Sequence, residues 1–396
     1  MQNAEASWKS AQSVGSGKVG RKTSSCFKIA FPVSSVWFGA LVGPSMISGA
    51  FATVYFAPYG IWGVVLLPFL SMGLAALIIG MGAEVARRYQ VYNYSSYAKQ
   101  LYGKCSKFLT PIMEVYMIIA MIVGGSAVVA MGSTFLNQLI GAPMIAGAIV
   151  MALISIALVL WGAKLVRASS AIMSVIMIGG MLVLTVFAVS NHPQGLQTVL
   201  QNRQPFEGFH LLAGVSGAFA LGFSNACNAL TLCAVEQEVV HKKHSLAIGI
   251  TSFLMNSLAF IVSTLLVLPY CPEVLLEQVP TLSVIQNFLA VKAPWLPTVY
   301  MITMFLALLS SGAPQLHAVA ARVEGLYPQK GMLKNRAWRN LVTGILYFGC
   351  CIAISQLGLR TIISQGYSLL GYLAIPLIAI PICIIMPIRA KREGEQ

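Results

Sequence analysis

Aspartate is missing altogether. All 11 acidic residues of the 396-residue chain are glutamates, and only 9% of its residues are charged. A soluble globular domain carries about a quarter. Such a shortage leaves too little polar surface to cover a soluble fold of this length. It excludes a sizeable soluble domain, a nucleic-acid-binding module and a secreted enzyme. Cysteine is present but without a useful pattern: none of the eight stands in a C-x-x-C spacing, and the five histidines are scattered. Buried free thiols are expected, rather than a redox framework or a zinc site.

What abounds is apolar sequence, 57% of the chain. It falls into stretches near 20 residues or longer, enough to cross about 30 Å of hydrocarbon. The expected helices are 31–56, 60–84, 110–138, 143–161, 169–190, 210–234, 245–269, 296–323, 338–357 and 361–387. The fourth is short, and the tenth contains Pro376 and Pro381. An even number puts both termini on one side. With that side inside, 22 of the 25 Lys and Arg residues fall in inner segments, leaving only Arg203, Lys292 and Arg360 outside. Basic residues mark the cytosolic face of membrane proteins, so the net charge of +14 reads as a topology signal.

Residues 1–28 are polar and end in a basic cluster, and the apolar run after them is too long for a signal-peptide core. They read as a disordered cytosolic tail, followed by a five-helix half over 29–190, an external loop over 191–209, a second half over 210–388 and a cytosolic tail over 389–396. The multi-pass chain is expected in the cell's inner (plasma) membrane. Five is odd, so the halves point in opposite directions, as in transporters built from inverted repeats. Leu41-Val42-Gly43-Pro44-Ser45 in the first helix and Ala220-Leu221-Gly222-Phe223-Ser224 in the sixth each carry G-x-S, 179 residues apart. Gly43-Pro44 is the stronger interruption, because proline lacks an N–H and clashes with the preceding turn. Broken backbone is tolerated in a membrane only where it faces a cavity, a ligand or an ion. A plain proline kink packed through Gly39-x-x-x-Gly43 remains the simpler reading.

Ten helices in 5+5 halves, broken at helices one and six, resemble the LeuT fold of the amino acid–polyamine–organocation superfamily. More narrowly the chain resembles YkvI-like bacterial membrane proteins. The resemblance rests on Gly39-Ala40-Leu41-Val42-Gly43, on Glu84-Val85-Ala86-Arg87-Arg88-Tyr89, and on Ser310-Ser311-Gly312-Ala313-Pro314-Gln315 in helix eight. It implies a sodium ion held by the carbonyls of Gly39, Val42 and Ala307 and the hydroxyls of Ser310 and Ser311. Neutral oxygens suit a hard monovalent cation. Two small residues packing helices together is the plainer alternative.

Proton-coupled relatives carry a lysine in the middle of helix five, and Met173 to Gly180 contains no ionisable residue. Glu84 and Glu114 are intramembrane carboxylates and therefore proton candidates. Both lie near the cytosolic interface, where pairing with Arg87 or Arg88 is the expected role. Glu236 and Glu238 belong to an inner gate, and His317 is a packing histidine or a relay. The solute pocket is expected between the two breaks, walled by Gly43, Pro44 and Ser45, by Gly124, Gly125 and Ser126, and by Phe219, Phe223, Ser224 and Asn225. Gly124 and Gly125 should leave space there, and a solute carboxylate could use N–H groups at a half-helix start.

The expected function is a sodium-coupled secondary symporter of a small amino-acid-like or zwitterionic solute, working by alternating access. Proton coupling is the alternative. A channel would need a selectivity ring, and a membrane enzyme clustered His or Glu. No Walker motif is present to support ATP-driven transport. No organic cofactor, nucleic acid or obligate protein partner is expected beyond the solute, the sodium ion and the lipid bilayer.

Overall fold

The computed structural model describes residues 26–41, 43–323 and 335–394. Their regular structure is entirely helical, and each of the ten apolar stretches is largely wound. The main helices are α1 (Cys26–Leu41), α2 (Leu67–Tyr89), α3 (Ser106–Ile140), α4 (Met144–Ala157) and α5 (Ala163–Asn191). The second half holds α6 (Leu211–Val235), α7 (Lys242–Val267), α8 (Leu296–Val323), α9 (Arg336–Ser355) and α10 (Leu359–Glu393). Among the described residues, six helices are by themselves long and apolar enough to cross a membrane. The bent pair Ile176–Asn191 and Pro193–Asn202 makes a seventh candidate, and three shorter apolar helices accompany them.

The packing is reciprocal between the halves. α1 lies against α7 while α6 lies against α2, and α3 lies against α9 while α8 lies against α4. An inverted repeat requires such exchanged pairs, because its pseudo-two-fold axis maps each helix onto its counterpart. α2 and α7 cross closely where a Cβ on Gly80 would stand 3.2 Å from the Gly249 Cα. Small residues there let backbones meet without a hydrophobic driving force between helices.

The expected loops carry structure of their own. His192 caps the helix Pro193–Asn202 by accepting from the Gly195 N–H at 2.9 Å, and that helix bends 85° from α5. Asn93 likewise accepts from the Ser96 N–H at 2.8 Å and starts the helix Tyr94–Tyr102. Both follow the rule that a side-chain acceptor satisfies the first free N–H groups of a helix. α10 survives its prolines by widening into π-turns at Ile375–Ala379 and Pro381–Ile385. A proline removes one α-type bond, and a wider turn accommodates the loss.

Basic residues gather at one end of the bundle. There Arg88 donates to the Ala390 carbonyl at 2.6 Å and Arg389 to that of Gln100 at 2.7 Å, joining α2, α10 and the Tyr94–Tyr102 helix. Residues 203–209 lie against the first repeat, where the Trp62 indole donates to the Arg203 carbonyl at 3.0 Å and the Phe206 N–H to the Pro58 carbonyl at 2.9 Å.

Candidate functional site

After Leu41 the first span loses its winding. The Gly43 N–H turns to the Leu41 carbonyl at 2.8 Å, away from Gly39, which would be its α-helical partner. The chain then restarts on the Gly43 carbonyl, which accepts from Met46 and Ile47 at 3.1 and 3.2 Å. Pro44 is the first residue of this short helix, Pro44–Ile47, where its missing N–H costs nothing. The amides of Met46 and Ile47 are thereby spent on Gly43, so they do not offer the free N–H groups expected for a solute carboxylate.

A second break follows at once. Gly49 adopts φ +78°, a left-handed conformation that a side chain would strain. A Cβ there would also stand 2.8 Å from Thr281 Oγ1. The exposed carbonyls find partners on other elements: Ser48 accepts from the Thr281 N–H at 2.9 Å, and Met46 accepts from the Ser263 hydroxyl of α7 at 3.1 Å. Thus residues 43–49 form a shaped turn within the membrane span, satisfied by the opposite repeat.

α8 meets this turn. A Cβ added to Gly43 would lie 3.3 Å from Ser311 Oγ, so glycine opens the space the hydroxyl faces. Ala307, one turn earlier on α8, is fully buried. One turn later, the Gln315 amide stands 3.3 Å from where a Gly124 Cβ would be. Gln315 also accepts at 3.2 Å from the Tyr347 hydroxyl, which in addition donates to the Met121 carbonyl at 2.8 Å. Ser311 and Gln315 therefore give α8 one polar face running from Gly43 to α3. Val42 lies outside the described residues, as do the side chains of Pro44 and Ser310.

Other expected wall residues fall into different roles. The space left by Gly124 and Gly125 is filled: a Gly125 Cβ would collide with the Tyr347 hydroxyl at 2.1 Å. Ser126 and Ser224 bond back to Ile122 and Leu221 of their own helices, at 2.7 and 2.8 Å. Ser45 is buried and gives its carbonyl to the Ser48 hydroxyl at 2.9 Å. α6 does not unwind at its G-x-S. It tightens into a 3-10 turn over Asn225–Cys227, and Asn225 donates to the Leu221 carbonyl at 2.9 Å. The Asn225 oxygen accepts from the Trp37 indole of α1 at 3.4 Å, tying the two counterpart helices together. Phe219 and Phe223 stack on each other with centroids 6.5 Å apart, and Phe219 is 38% exposed.

The carboxylates separate by environment. Glu84 receives two bonds from Arg87, at 2.5 and 2.7 Å, and a third from Ser245 at 3.0 Å. Glu114 pairs with Arg322 of α8 at 2.9 Å rather than with Arg87 or Arg88, and the Arg322 guanidinium lies 4.1 Å over the Tyr94 ring. Among the described residues Glu236 is fully buried without a hydrogen-bond partner, Glu238 is exposed, and His317 is half-buried without a hydrogen bond. Missed in the sequence were Gln315 as a site residue, and Ser263 and Thr281 as partners of the turn. Their polarity was visible, but Gly124, Met46 and Ser48, which they meet, stand more than 190 residues away.

No family model matches the chain, and no curated protein matches it. Solved structures share its fold. The manganese transporter of Eremococcus coleocola, in complex with an aromatic bis-isothiourea substituted compound, aligns over 93% of this chain and 81% of its own with TM-score 0.63 and 16% identity. Mhp1 in an inward-facing conformation aligns over 89% and 75% with TM-score 0.64 and 14% identity. MhsT in complex with L-phenylalanine aligns over 91% and 90% with TM-score 0.59 and 15% identity. The chain accordingly has the LeuT-like all-α fold of a multi-pass integral membrane protein. The narrower resemblance to YkvI-like proteins has no family match behind it.

Proposed function

We propose that this chain is a secondary active transporter, a sodium-coupled symporter of a small amino-acid-like or zwitterionic solute that works by alternating access. The observation that carries this reading is the meeting of Ser311 Oγ with Gly43 at the α1 turn. The displaced Gly43 N–H leaves the Gly39 carbonyl without its helical donor. Gly39, Ser311 and Ala307, which lies buried one turn before Ser311 on α8, are three of the five residues implied as ligands. A dehydrated monovalent cation needs neutral oxygens, and at Gly39 the backbone is already bent away from self-pairing. The likeness of fold to one protein named a manganese transporter and to another that holds L-phenylalanine agrees with it.

The solute would sit beside this turn, between α1, α3, α6 and α8, with Gln315 and Asn225 as the nearest amides. The basic end of the bundle faces the cytosol in this reading, and both termini lie there. The test is uptake of a panel of labelled amino acids by proteoliposomes. Saturable uptake that requires an inward sodium gradient is the expected result. Saturable uptake driven by a pH gradient alone contradicts sodium coupling, and flux without saturation contradicts a carrier.

A further inference from the structure

Just past the last residue of α6, Val235, stands a carboxyl group with no hydrogen-bond partner among the described residues. It belongs to Glu236, which is 0% exposed. The last turn of α6 packs against α2 and the Tyr94–Tyr102 helix. Two polar groups here are already engaged. The Tyr97 hydroxyl donates to the Gly82 carbonyl at 3.0 Å, and the Cys233 thiol donates to that of Leu230 at 3.0 Å. On α2, Arg87 is closed onto Glu84 and reaches the Val240 carbonyl at 3.3 Å. Glu238, two residues on, is exposed.

An ionised carboxylate deprived of water, cation and donors is strongly disfavoured, so such a group takes up a proton. We propose that Glu236 is a proton-binding site that latches the basic end of the bundle shut, holding the neutral acid here and releasing its proton to the water that enters when this end opens. The step is a simple acid dissociation: the O–H bond breaks, the electron pair stays on the carboxylate, and the proton passes to solvent. Burial pushes the group from 4.5 up to about 8, with no charge beside it as a further cause. The closed arrangement therefore binds the proton more tightly than an opened, hydrated one. By linkage the latch has its full strength below about pH 4.5, weakens up to tenfold per unit as pH rises, and is exhausted above about 8. The protonation stands on the structure alone, whereas its coupling to opening rests on the alternating-access reading.

Infrared spectroscopy of the full-length protein in lipid nanodiscs tests the protonation. Wild type at pH 6.5 should show the C=O band of a carboxylic acid that is absent from Glu236→Gln and that disappears from wild type on titration through about pH 8. Absence of that band at pH 6.5 overturns the site, and the titration answers even if the variant misfolds. The coupling is read from alkylation of the native, buried Cys233, followed by mass spectrometry of its peptide. The ratio of wild-type to Glu236→Gln rates cancels the thiol's own titration. It should rise roughly tenfold between pH 6.5 and 7.5. A flat ratio overturns the latch, and if sodium-driven uptake persists, the transport reading survives that failure.

Discussion

The two G-x-S segments occupy matching places in the repeats and do different things. At Gly43 the winding breaks, resumes for the short helix Pro44–Ile47 and breaks again at Gly49, whereas at Gly222 the chain stays wound and tightens into a 3-10 turn. What separates them is the residues that follow. The α1 segment continues with Pro44 and with Gly49 at φ +78°, two positions that an uninterrupted helix does not supply. The α6 segment has asparagines instead, and Asn225 and Asn228 return their amides to the Leu221 and Asn225 carbonyls at 2.9 and 3.0 Å. G-x-S alone breaks no helix; a left-handed glycine and a restarting proline do. The unwound segment meets Ser311, and the wound one anchors it through Trp37.

Substitutions can break this contrast, and the largest effect belongs to Gly49. Gly49→Ala forces a side chain into the left-handed region and against Thr281 Oγ1, and should cost about 2 kcal/mol of stability. A lowered unfolding temperature in detergent checks it; unchanged stability would mean that the second break is not held by this geometry. Asn225→Ala is next, at about 1 kcal/mol, because it removes the Leu221 bond and leaves the Trp37 indole without its acceptor. α6 should remain wound, and helicity by circular dichroism should be unchanged. Pro44→Ala should move stability least, by under about 0.5 kcal/mol, since the first helical position tolerates either residue. Uptake should nevertheless fall, because alanine allows α1 to rewind across the site. Normal uptake at normal expression would reduce this break to a kink.

How far these features were legible follows from where their causes lie. Gly43-Pro44 is a local signal, so the first break could be read from the residues themselves. Gly49 could not, because its conformation is supported by Thr281, far along the chain. Glu114 was visible as a carboxylate needing a cation, but its partner, Arg322, is 208 residues away on another helix. Arg87 and Arg88 were nearer in sequence, which favoured the wrong pairing for Glu114 and the right one for Glu84. Glycine pairs mislead for a related reason. Gly124-Gly125 signals close approach, and only the fold shows that Gln315 and Tyr347 come to fill it. The bundle itself was legible because apolar length and basic-residue placement are additive along the chain and need no tertiary knowledge.

The central claim is that Ser311 and the α1 turn hold sodium, and a sodium titration tests it most directly. Thermal stabilisation of the purified protein is followed against sodium concentration, with potassium holding ionic strength constant, in wild type and in Ser311→Ala. If one ion–oxygen contact is worth on the order of 1.5–3 kcal/mol, the sodium midpoint should rise roughly tenfold or more in the variant. An identical midpoint in both proteins, or no stabilisation of wild type by sodium over potassium, would contradict the account and leave Ser311 a packing residue.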